Sequence, residues 1–364
     1  MPTQGQTRAS PSRDGALDAF RGLVVLAMLL VNLQGSHAQA YAPLAHAAWH
    51  GLTLADLVFP FFLLVVGLSV PLALDRPGPR PAWAPILRRT ALLVLIGVAL
   101  NWLLQPALPL AELRLTGVLQ RIGLVYLACA AAALLWRGAL APLRAAVALM
   151  VLHAALLLMP APGEALASME PGLGLSGWAD RELLPGRAHR GTHDPEGVLS
   201  TLSAIATGLL GVAAARFQAT GGSAKRLASV GAGAVLLGLA LTPLLPLNKS
   251  LWTASFALVS AGLGLLCLLG LRAVWERVAR QAWARGAVLL GRTALTLYVL
   301  HMLLIALLVR QAPDGRRLWT HGFEALAATD LPAPTASLLF AILASALCAA
   351  AMPPLRRRGW LLRA

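Results

Sequence analysis

Apolar residues run along this chain in long unbroken blocks, with neither the alternation of a half-buried strand nor the one-sided spacing of a surface helix. Leu23–Asn32, Leu57–Leu74 and Val288–Leu308 are blocks of this kind. The pattern predicts about ten helices, at about 16–36, 52–74, 86–105, 115–136, 140–159, 198–216, 227–246, 250–271, 286–309 and 334–354. Each is long enough to cross a hydrocarbon layer of roughly 30 Å at about 1.5 Å per residue. Most are joined by short turns bearing Pro, Gly or Arg, which makes neighbours antiparallel. The expected fold class is all-α, a polytopic transmembrane helical bundle. No internal repeat stands out, so the inverted-repeat signature of many transporters is missing.

Composition agrees with that expectation. The chain is 58% apolar and only 12% charged, with a mean hydropathy of +0.72, whereas about 25% of an ordinary soluble domain is charged. The polar segment 1–15 reads as a disordered cytoplasmic tail. No small-residue cleavage site follows the first apolar block, so that block reads as an uncleaved helix. A single membrane domain is expected over 16–355, with long outer segments at about 160–197 and 310–333, and a basic tail at 356–364. Cys129, Cys267 and Cys348 all fall inside apolar blocks, with neither metal spacing nor a disulfide framework.

A net charge of +15 suggests nucleic acid only until the charges are placed. With the N-terminus inside, nineteen of the 30 Lys and Arg residues fall on inner segments and eight on outer ones; Arg21, Arg121 and Arg292 lie within spans. This is the positive-inside bias. It predicts that both termini are cytoplasmic, that the lipid bilayer is the partner of the basic segments, and that no nucleic acid is bound.

Ionisable residues inside a bilayer are expensive and point to function by default. "LAHAAWHGLTLADLVFPFF" puts His46, Trp49 and His50 just before the second span and Asp56 just inside it. Asn32, Asn101, Gln120, Arg121, Asn248, Lys249 and His301 come from distant parts of the chain, yet the topology gives them the same outer depth. Each has a structural alternative. Thr53 and Asp56 have the spacing of a helix-capping pair. Arg121 is a candidate for structural pairing or for snorkelling to the interface. His301 fits a hydrogen-bonded core histidine, Trp49 an interfacial aromatic belt, and Asp18 with Arg21 a local i,i+3 ion pair. His46 is the best candidate for chemistry, because imidazole accepts a proton near neutral pH or attacks an activated carbonyl. His46 and His50 also have the i,i+4 spacing of zinc ligands, but "HAAWHG" lacks the intervening acid of a zincin and ends in Gly, so no metal is expected. A small-molecule transporter or flippase would use such a cluster as a midplane site; this cluster lies outward, beside a long loop.

"ALDAFRGLVVLAMLLVN" (Ala16–Asn32), "LAHAAWHGLTLADLVFPFFLLVVG" (Leu44–Gly67), "RLTGVLQRIGLVYL" (Arg114–Leu127), "HDPEGVLSTLSAIATGLLG" (His193–Gly211), "LNKSLWTASFAL" (Leu247–Leu258) and "TALTLYVLH" (Thr293–His301) occur in that order. Together they resemble the heparan-α-glucosaminide N-acetyltransferase family and its bacterial relatives, from about residue 16 to 310. The resemblance implies an acetyl-CoA-dependent N-acetyltransferase. Acetyl-CoA would be supplied from the cytoplasm and an amino-sugar acceptor of the glucosamine type from the other side. It places the active-site histidine of the family's H-A-x-W block at His46 and a second active-site residue at Asn32. Asp56 is then the residue to hold the His46 tautomer. Arg21, Trp49, His50, Arg121, Lys249 and His301 are candidates for contacts to CoA or the acceptor. Asn32 and His46 stand fourteen positions apart in this sequence, a longer spacing than in the lysosomal enzyme, and His50 stands where that enzyme has Asn. No counterpart of the lysosomal protein's large lumenal N-terminal domain is seen, so an acceptor other than heparan sulfate is expected. The basic character suits a multi-pass protein of a bacterial inner membrane, and a homodimer is compatible with it.

Overall fold

The computed structural model describes residues 14–75, 82–105 and 108–362. Most of the expected N-terminal tail, together with Arg76, Arg80 and Arg363, lies outside the described residues. The helices, in chain order, are α1 (Gly15–Asn32), α2 (Leu54–Leu74), α3 (Trp83–Leu104), α4 (Val118–Leu135), α5 (Leu140–Leu157), α6 (Gly174–Leu183), α7 (Val198–Ala219), α8 (Ala224–Ala240), α9 (Ala254–Val278), α10 (Ala282–Arg292), α11 (Ala294–Leu308), α12 (Leu318–Ala327), α13 (Ala333–Ala350) and α14 (Met352–Arg357). The described residues contain no strand, so the fold is an all-α polytopic bundle. The protein is a multi-pass membrane protein.

Eight of these helices are long and apolar enough to span a bilayer, and a ninth span exists if α10 and α11 count as one. The expected ten therefore needs two corrections. The span expected at 286–309 is broken at Thr293, where α10 and α11 meet at a bend of 80°. The cause is a tertiary contact that hydropathy does not record. α10 lies backbone to backbone on α1, so a Cβ on Gly22 would fall 1.8 Å from the Ala287 carbonyl oxygen, and one on Gly291 would fall 1.9 Å from that of Asp18. The span expected at 227–246 ends early, as the 17-residue α8, because Pro243 and Pro246 cannot continue a helix. The two long segments expected on the outer side, about 160–197 and 310–333, also carry helices of their own, α6 and α12.

α2 is the hub and packs against α1, α4, α7 and α9. With no hydrophobic drive between helices in lipid, close approach depends on small residues. A Cβ on Gly67 of α2 would sit 1.8 Å from the Gly208 carbonyl oxygen of α7. The core between them is built from Leu63, Val125, Cys129, Ala204, Val212 and Phe256, all buried. The N-terminus of α2 and the C-terminus of α1 thereby come to the same end of the bundle, the end that carries the loop around His46.

Candidate active site

The site begins with two loops that fasten each other. One is 44–53, before α2; the other is 247–253, before α9. The Gly51 N–H donates to the Leu247 carbonyl at 2.7 Å, and Gly51 has φ of +130°, a conformation a side chain would strain. Asn248 closes its own turn by accepting from the Leu251 N–H at 2.8 Å, and its Nδ2 donates to His50 Nδ1 at 3.3 Å. Thr253 caps α9 and donates to the Pro246 carbonyl at 2.8 Å. Trp252, fully buried with φ of +54°, wedges the turn in place: its indole N–H donates to Thr207, and its ring meets Phe59 edge-on. The strain is held by packing on every side.

On this scaffold His46, Asp56 and Lys249 converge. His46 Nδ1 lies 2.8 Å from Asp56 Oδ1. The other carboxylate oxygen of Asp56 accepts from the Ala47 N–H, the Thr53 N–H and the Thr53 hydroxyl. Capping and orienting are thus one arrangement: the carboxylate ends the helix with one oxygen and fixes the imidazole with the other. Asp56 is 2% exposed and His46 41%, so the ring is held from the protein side and presented outward. The Nδ1–H tautomer that donates to Asp56 leaves Nε2 with an open lone pair. Lys249 Nζ is 3.2 Å from His46 Nδ1, 3.3 Å from Nε2 and 3.8 Å from Asp56 Oδ1. Burial lowers the pKa of Lys249, and the carboxylates of Asp56 and Glu196 partly restore it.

A cavity of about 1260 Å³ runs from this cluster through the bundle. His46, Trp49, Asp56, Glu196 and Lys249 line one end; Asp14, Asp18, Arg21 and Arg292 line the other; Phe59, Phe62, Leu93 and Tyr298 are also among its walls. Arg21 pairs with Asp18 at 3.0 Å and donates to Ser69 at 2.7 Å. Asp18 also holds Arg292 at 3.0 Å, so the local pair expected from sequence is part of a three-residue cluster. Arg89, stacked 4.5 Å over Tyr126, adds another cation to the cavity wall.

The remaining candidates separate by position. Asn32 lines the cavity, and its amide donates to His301 Nε2 at 3.3 Å. His301 is fully buried behind that wall, with Nδ1 turned to the Tyr298 carbonyl. Trp49 lines the cavity; its indole N–H donates to the Met169 carbonyl at 2.8 Å, and its ring meets His193 edge-on. His50 faces Asn248 and closes the loop. Arg121 is buried against Ser200, the Gly197 carbonyl and the face of Trp252. Neither His50 nor Arg121 lines the cavity. Asn101 and Gln120 do, and both donate into the segment before α4. Among the described residues no three His, Cys, Asp or Glu side chains converge to hold a metal.

A second ionic cluster at the same end does not follow from the sequence. Arg114 donates to Asp194 at 2.8 and 2.6 Å and to Glu196 at 2.6 Å. Asp194 also accepts from Thr116 and from the N–H groups of His189 and Glu196. Burial alone would raise the pKa of Asp194; Arg114 and Thr116 instead hold it at about 2, and the two carboxylates raise that of Arg114. Asp180 of α6 accepts from the N–H groups of Asp194 and Val198, and burial raises its pKa. The motif "HDPEG" was the available signal, but its partner Arg114 lies 80 residues away in sequence from Asp194.

A helical membrane bundle with a histidine–aspartate pair at one end of a cavity through the bundle defines a class, a polytopic membrane protein with a polar site at one end of an internal cavity. Residues 13–166 match the family model "Heparan-alpha-glucosaminide N-acetyltransferase, catalytic". The chain is 30% identical to heparan-alpha-glucosaminide N-acetyltransferase of Homo sapiens, across 74% of this chain and 50% of that protein. It is 29% identical to the Mus musculus protein of the same name, across 68% and 47%. The chain is similar to the heparan-alpha-glucosaminide N-acetyltransferase family and spans about half the length of the curated relatives it matches.

Proposed function

We propose that the protein is an acetyl-CoA-dependent N-acetyltransferase that carries an acetyl group across a membrane to an amino sugar. The observation that carries this reading is the single cavity with arginines at one end and the His46–Asp56 pair at the other. Arg21, Arg292 and Arg89 suit the phosphates of CoA, since guanidinium groups bind phosphate oxygens in pairs. The apolar stretch past Phe62 and Leu93 suits a pantetheine arm. The arginine end is assigned to the cytoplasm by the positive-inside bias, and the His46 end to the acceptor side. A bacterial inner membrane is the setting we assign.

The chemistry asks little of the protein. A thioester carbonyl must meet a neutral amine, a base must take the amine proton, and the tetrahedral oxyanion needs stabilisation. His46 Nε2 is the atom with spare capacity, whether it takes the proton or carries the acetyl group. Asp56 holds the ring and its tautomer. Trp49 and His193 offer an aromatic face to the sugar, and Asn32 lines the approach. The test is CoA release by purified protein given acetyl-CoA and a panel of amino sugars. Release with glucosamine, abolished in His46→Ala while acetyl-CoA still binds, is expected. Full turnover in that variant, or a protein that moves a solute without releasing CoA, would overturn the reading.

A further inference from the structure

Loop closure does not account for where the Lys249 ammonium sits. Its turn is held by Asn248, Trp252 and Thr253, and its own side chain is free to extend toward His46. The distances of 3.2 and 3.3 Å to the two ring nitrogens are nearly equal. The Nδ1 direction is taken by Asp56 at 2.8 Å, and a group equidistant from both nitrogens is not on the Nε2 lone-pair axis. The ammonium therefore lies against the ring, and the Nε2 lone pair remains open to the cavity. A cation placed there favours negative charge beside Nε2.

Such a charge forms in acetyl transfer. When the amine attacks, its lone pair makes the C–N bond, the carbonyl π pair moves to oxygen, and the amine proton passes to Nε2. When the intermediate collapses, the oxygen pair re-forms the carbonyl, the C–S bond breaks, and the leaving thiolate takes the proton from His46. If Nε2 itself attacks, its lone pair makes the bond to the acetyl carbon and the oxyanion forms on that carbon, two bonds from Nε2. Collapse re-forms the carbonyl and breaks the C–S bond to release the thiolate. The amine then displaces Nε2 from the acetyl carbon, its proton passing by way of Nε2 to the thiolate. In both routes the oxygen develops its charge within reach of an ammonium 3.3 Å from Nε2. We propose that Lys249 is a catalytic residue that stabilises the tetrahedral oxyanion beside His46; this rests on the acetyl-transfer reading above. The groups facing it are His46 from its loop, Asp56 from α2 and Glu196 from the segment before α7. Because burial lowers the Lys249 pKa from its ordinary 10.5, loss of its proton limits turnover on the alkaline side.

The experiment compares wild type, Lys249→Met, Lys249→Arg, Asp56→Asn and Asp56→Asn/Lys249→Met by CoA release with acetyl-CoA and glucosamine across pH. Lys249→Met is expected to lower kcat about 10²–10³-fold, the effect of losing an oxyanion donor, with KM for acetyl-CoA unchanged within about threefold. Lys249→Arg is expected to keep measurable turnover and to move the alkaline limb of kcat upward, because guanidinium does not titrate there. If Lys249 served only to neutralise Asp56, the double variant would recover to the level of Asp56→Asn; it is expected to fall well below it. Wild-type kcat in Lys249→Met, an unmoved alkaline limb in Lys249→Arg, or recovery in the double variant would each overturn the inference alone. A wild-type protein that releases no CoA with any amino sugar would overturn the acetyl-transfer reading and this inference with it.

Discussion

Two ionic clusters stand at the same end of the bundle, and they differ in saturation. Arg114, Asp194 and Glu196 are 17%, 0% and 12% exposed, and the Asp194 carboxylate alone takes two donations from Arg114, one from Thr116 and two from backbone N–H groups. Its hydrogen-bonding capacity is spent on fastening 189–196 to the segment before α4, although Arg114 and Glu196 still form part of the cavity wall. His46, Asp56 and Lys249 are arranged the other way: Asp56 is saturated, while the ring it holds keeps an open nitrogen toward the cavity. A buried charge in a membrane is thus not by itself a mark of chemistry. The mark is spare hydrogen-bonding capacity on a group whose partners are fixed.

Variants on the two sides of this comparison should fail in different ways. His46→Ala should cost the most activity, a loss of kcat of about 10³–10⁴-fold, with an unchanged melting temperature. Arg114→Met leaves Asp194 buried without its partner and should destabilise by about 3–5 kcal/mol, seen as a lower melting temperature and yield. The protein that does fold should keep most of its turnover per molecule. If Arg114→Met instead stayed stable and lost kcat, the two clusters would have exchanged roles. Asp56→Asn should lower kcat about 10²-fold and should add little to His46→Ala, because residues acting as a unit are non-additive.

Acid sharpens the contrast further. Asp194 is held at about 2 in the fold against an ordinary 3.8, so its contribution is fully present above about 3.8 and is lost as pH falls toward 2. The contribution is about 2.5 kcal/mol, and acid unfolding followed by circular dichroism should show it as a slope that Asp194→Asn removes. The smallest effect expected is that of His50→Ala. It breaks the link to Asn248 and should cost about 0.5–1.5 kcal/mol while changing kcat only severalfold; a loss as large as that of His46→Ala would place His50 in the chemistry.

The helices were legible because apolar blocks of bilayer length have few other uses. The Thr53–Asp56 spacing signalled a helix cap, and the contact of Asp56 with His46 was expected only once the family resemblance had singled out His46. What sequence did not carry was tertiary. The break at Thr293 comes from Gly22 and Gly291 letting α10 lie on α1, a contact that leaves no periodicity. Which of the polar residues faced the cavity was not readable: Arg121 and His301 stand behind its walls, while Glu196 and Tyr298 line it. Lys249 meets His46 across 203 positions, and the turn that carries it includes Trp252 in a left-handed conformation that packing, not local propensity, sustains.

The central claim is that one cavity joins a donor on one face to His46 on the other. It is tested most directly in proteoliposomes of defined orientation, with acetyl-CoA confined to the face of the arginine end and glucosamine to the face of His46. N-acetylglucosamine should form only in the glucosamine compartment, with CoA released only in the other, and His46→Ala should abolish both. Product formed only when acetyl-CoA and glucosamine share the His46 face would contradict it.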